Sequence, residues 1–130
     1  MFVSSVLAAE VISEKSKDLG FGFRDVRQQV KMPKGHWEGI GHFDFLYFKD
    51  HKISQTSDFL ISSDGKFVVF TDGPTGNVQA FFSVDRKIVL LEGYVKENGV
   101  PESFEEVGVG TIKAVFTSGK EKVFNVTSTP

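Results

Sequence analysis

Residues 61–82 read ISSDGKFVVFTDGPTGNVQAFF, and the role of the knot at 72–77, DGPTGN, decides the fold. A phosphate loop of the P-loop type needs Gly-x-x-x-x-Gly-Lys-Ser/Thr and then a helix whose N-terminus meets the anion. Gly73 and Gly76 are too close together, no lysine follows Gly76, and NVQAFF is a strand-forming run. Pro74 presets φ for a turn, and Gly73, Gly76 and Asn77 tolerate the positive φ that tight loops use. The stretch therefore reads as a hairpin. The same objection removes Gly108 and Gly110, which also precede a strand.

Working outward, turn signals recur along the chain: Pro33-Lys34-Gly35, Lys49-Asp50-His51, Ser63-Asp64-Gly65, Asp85-Arg86, Glu97-Asn98-Gly99 and Ser118-Gly119-Lys120. Such a rhythm marks an all-β chain, and short turns make successive strands antiparallel. The shift from Phe21 and Phe23 to Val26, Val30 and Met32 predicts a bulge near Arg24 and Asp25. GVPESFEE, 99–106, reads as a polar connection. Residues 3–19 carry Val3, Leu7 and Val11 at intervals of four, with Ser4 or Ser5 as a cap and Gly20 after, which predicts one helix. The expected fold is mainly β: a single domain over 1–130, a helix over 3–19, then an antiparallel meander of about seven or eight strands over 21–128. FDFLYF, KFVVFT and KIVLL are apolar on both parities, whereas a sheet with one wet face alternates. A second sheet (a small sandwich), closure into a barrel, a propeller-like arrangement or a partner subunit must cover their second side.

Two family resemblances follow from these residues. ISSDGKFVVFTDGPTGNVQAFF resembles a blade motif of secreted β-propellers of the TolB or WD40-like kind, and FLYFKDHKI at 45–53 is similar to the outer hairpin of a preceding blade. That resemblance spans about forty residues and implies a propeller-like meander; the chain is too short to close a propeller alone. KGHWEGIGHFDF, 34–45, resembles the Gly-x-Trp first strand of lipocalin-like and fatty-acid-binding barrels. This second resemblance implies a calycin-like barrel holding an apolar small molecule.

Composition narrows the functions. A net charge of −2 draws the chain toward neither nucleic acid nor an anionic membrane, and the basic stretch 24–34 is broken by Asp25. The absence of cysteine excludes disulfides, thiolate metal sites and cysteine nucleophiles. No apolar run is long enough for a transmembrane segment. MFVSSVLAAE resembles the end of a signal peptide, which suggests a periplasmic or secreted protein, with the cytoplasm as the alternative. Fourteen Phe residues supply a core or line a cavity.

Strand parity divides residues 36–48. Trp37, Phe43, Phe45 and Tyr47 share one side as a candidate ligand surface. His36, Glu38, His42 and Asp44 share the other, a spacing that suits a metal ion or a His–Asp proton-transfer pair, and equally a solvated strand face. No nucleophile elbow, zinc-protease motif or calcium loop occurs. The leading expectation is a non-enzymatic binding or interaction module without a cofactor, self-associating or engaging a protein partner. An apolar-ligand carrier comes second and an enzyme using His36, Glu38, His42 and Asp44 third.

Overall fold

The computed structural model describes residues 10–31 and 40–126, and among them every regular element is a β-strand. Strands β1 (Glu10–Gly20), β2 (Phe23–Lys31), β3 (Ile40–Phe48) and β4 (His51–Gln55) form one sheet in that order. A second sheet holds β5 (Phe59–Ile61), β6 (Phe67–Thr71), β7 (Val78–Phe82) and β8 (Ile88–Glu92), again in chain order. The third contains β9 (Pro101–Gly108), β10 (Thr111–Phe116) and β11 (Glu121–Asn125). All three are antiparallel meanders, and none closes into a barrel. The chain divides into two compact units, Met1–Lys52 and Ile53–Pro130.

Several expectations need correction. No helix occurs over 10–19, where β1 pairs antiparallel with β2, with register shifts at Val11/Ser13 and Asp18/Gly20; residues 3–9 of the expected helix lie outside the described residues. The reason is nonlocal. Gly20, Phe21 and Gly22 all take positive φ, Phe21 between the two glycines at 56°, so the chain reverses and offers β1 a partner along its length. The charged alternation of residues 13–18 then suits an exposed edge. The strand count is eleven among the described residues rather than seven or eight. The polar segment before Gly108 is strand β9, because its backbone pairs with β10 although Phe104 is the only large apolar side chain it packs on the core. Near Arg24 the ladder is irregular on the β1 side, between Asp18 and Gly20, whereas β2 itself pairs with β3 without interruption. The change of parity arises because Phe23 and Val26 are buried on opposite sides of the sheet. The turn expected at 33–35 lies outside the described residues.

The hairpins are built as their turn residues dictate. In the β5–β6 turn the Gly65 amide donates to the Ser62 carbonyl at 2.9 Å, with Gly65 at φ 72°. Between β6 and β7, Asp72 organises the loop: the Ser54 and Thr75 hydroxyls each donate to its carboxylate at 2.6 Å. The Gly73 amide reaches the Gln55 carbonyl at 2.9 Å, tying the loop to the end of β4. The loop is a hairpin, and an anion in it would confront a carboxylate.

The core of the second unit lies between its two sheets. Phe67 and Val69 on β6, Val78, Ala80 and Phe82 on β7, and Ile112, Ala114 and Phe116 on β10 form one buried cluster. Burying each large side chain contributes about 1.5–3 kcal/mol relative to exposure. Val68, Phe70 and Phe81 on the opposite side of the second sheet are buried too, as the double apolar parity of KFVVFT requires. KIVLL differs: Ile88 and Leu90 are exposed on the edge strand β8.

Candidate functional site

The residues singled out on β3 are arranged by its register with β2. Phe43, Phe45 and Tyr47 stand opposite Gln28, Val26 and Arg24; His42 and Asp44 stand opposite Gln29 and Arg27. Trp37, His36 and Glu38 lie outside the described residues.

On the aromatic side, cations lie over two of the three described rings, Tyr47 and Phe45. The Arg24 guanidinium lies 5.0 Å from the Tyr47 ring centre, and the Lys52 ammonium 4.3 Å from that of Phe45. These rings are half-buried, and the cation–π contacts occupy surface that an apolar ligand would need.

On the polar side, Arg27 grips both Asp44 oxygens, Nε to Oδ1 at 2.9 Å and Nη2 to Oδ2 at 3.3 Å. A carboxylate held bidentately by a guanidinium is already neutralised. Among the described residues no group of three or more His, Asp or Glu side chains is placed to hold a metal ion. Asp25 lies two residues from Arg27 on the same side. Burial pushes its carboxyl above the ordinary value, the Asp44 charge adds to this, and Arg27 and Lys17 oppose it. Its Oδ1 is buried without a hydrogen-bond partner among the described residues.

A different site emerges in the second unit, at one end of the core. A partly open cleft of about 480 Å³ lies among three turns, those joining β5–β6, β7–β8 and β9–β10. Phe67, Phe82 and Val126 close its floor; the two rings are tilted at 51° with centres 6.1 Å apart. Val84 and Val109 form its lips and are 84% and 95% exposed. The Val126 amide donates to the Gly110 carbonyl at 2.7 Å, which fixes the wall beside Val109.

The charged lining residues, Asp64 and Lys66, stand at one rim. The Lys66 amide and the Ser62 hydroxyl donate to Asp64 Oδ1 at 3.1 and 2.8 Å, which holds this carboxyl below its ordinary value, the amide contributing most. The Lys66 ammonium has no ion-pair partner among the described residues.

Sequence reasoning about β3 passed over this site. Its signal was present in the turns themselves: SVDRK and GVG each place a bare valine where polar residues are usual.

The fold and cleft define a mainly-β protein with an apolar surface recess. No family model, curated protein or solved structure matches this chain. Among the described residues no helix is long and apolar enough to cross a membrane.

Proposed function

We propose that this chain is a non-enzymatic binding module that receives an apolar group of its partner in the cleft between the second and third sheets. One observation carries the reading: two valines on turns of different sheets are almost wholly exposed at the mouth of one apolar recess. Scattered exposed valines need no explanation, but a pair converging on a concave floor of Phe67 and Phe82 lowers its free energy when water is displaced. The rim supplies Lys66 and an ionised Asp64 to orient a polar end. The signal-like residues 1–10 support a place outside the cytoplasm.

A second reading shares the same cleft. Its volume falls within the range of about 300–1,000 Å³ typical of small-molecule sites. A carried apolar molecule would then sit here instead of inside a barrel.

Titration with an apolar fluorophore such as anilinonaphthalene sulfonate tests both. Wild type should bind it, and the double variant Val84→Asp, Val109→Asp should lose the signal while keeping its melting temperature. Equal dye binding by the two proteins, or none by either, would refute the site.

A further inference from the structure

We infer that β11 pairs edge to edge with β11 of a second copy of this chain, joining the third sheets of two molecules into one. This does not rest on the cleft; it follows from the state of the sheet edges. Exposed edges are normally blunted by bulges, prolines, charges or shortness. In the second unit, β5 has only three residues. β8 carries a register shift next to Leu90. β9 opens on Pro101, is irregular at both ends and bears Glu102, Glu105 and Glu106. β11 alone of these edges is longer than three residues and runs in unbroken register, from Glu121 to Asn125.

The hydrogen-bond parity shows which groups it offers. The Val126 amide bonds the Gly110 carbonyl and the Phe116 amide bonds the Lys120 carbonyl, bracketing the β10–β11 ladder. The bonded pairs in between are therefore Ile112 with Phe124 and Ala114 with Lys122. Glu121, Val123 and Asn125 direct their N–H and C=O groups away from β10, toward the open edge.

That edge is complementary to itself. Antiparallel pairing about a two-fold axis at Val123 sets Val123 against its copy, Glu121 against Asn125 and Lys122 against Phe124. About six inter-chain backbone hydrogen bonds form, and no like charges face each other. Val123, 59% exposed, gains an apolar neighbour. Glu121 and Lys122 are already neutralised within the chain by Lys113, at 3.5 Å, and by Glu92. Centring the axis on Lys122 would instead oppose two lysines.

Sedimentation velocity over a concentration series up to about 100 µM suits a contact this short. Wild type should show a reversible monomer–dimer equilibrium. Val123→Pro removes an amide that the β10 ladder does not use, and Val123→Lys places like charges opposite each other. Each should raise the dissociation constant about tenfold or more with an unchanged circular dichroism spectrum. A wild type that stays monomeric would overturn the inference. So would a dimer indifferent to both substitutions, or one abolished by Val84→Asp, Val109→Asp instead.

Discussion

Asp72 and Gly73 illustrate how much of a loop can hang on two residues. The carboxylate gathers the Ser54 and Thr75 hydroxyls, while the glycine lets the backbone come against the Gln55 carbonyl. A Cβ on Gly73 would collide with that carbonyl oxygen, which is backbone and cannot swing aside. Gly73→Ala should therefore destabilise the fold by about 1–3 kcal/mol, read as a lower urea midpoint. Asp25 presents the opposite case. Its folded carboxyl binds its proton more tightly than the unfolded chain does, so stability falls as pH rises from the ordinary carboxylate value through the raised one. Asp25→Asn should raise the melting temperature at neutral pH. The gain should vanish below the ordinary carboxylate range, where Asp25 is protonated in both states. A gain independent of pH would mean that the charge is not the cause.

At the scale of elements, what the sequence made legible was what neighbours in the chain encode. Ser63-Asp64-Gly65 and Asp72–Asn77 carry their own turn chemistry, so the hairpins of the second sheet could be read directly. β1 could not. Val3, Leu7 and Val11 fit a helix repeat, and over residues 10–20 it is the partner β2, reached through Gly20-Phe21-Gly22, that selects the extended form. β9 escaped for a related reason: a polar edge strand shows little alternation, and its identity lies in hydrogen bonds to β10. β10 is the opposite, with Ile112, Ala114 and Phe116 on one side forming the third sheet's main contribution to the core. Ile112 is fully buried, so Ile112→Ala should cost about 2–5 kcal/mol in chemical denaturation. A loss below about 1 kcal/mol would mean that the two sheets of the second unit are not packed as described.

At the scale of the whole molecule, both sides of FVVFT are buried, while Val84, Ile88, Leu90 and Val109 stay exposed. The need to cover doubly apolar strands was visible in the sequence; the cleft was not. It is assembled from Lys66, Val84 and Val109, on turns separated by tens of residues, and no local pattern announces that they meet. Of the candidate residues on β3, Asp44 is held by Arg27, and the Tyr47 and Phe45 rings lie under Arg24 and Lys52. The functional proposal therefore stands on the cleft. A native mass spectrum of gently purified protein, recorded beside the variant Val84→Asp, Val109→Asp, tests it most directly. The account predicts that wild type carries a bound species other than a second copy of itself, and that the variant has lost it. Wild type and variant appearing with identical masses, bare or equally loaded, would contradict it.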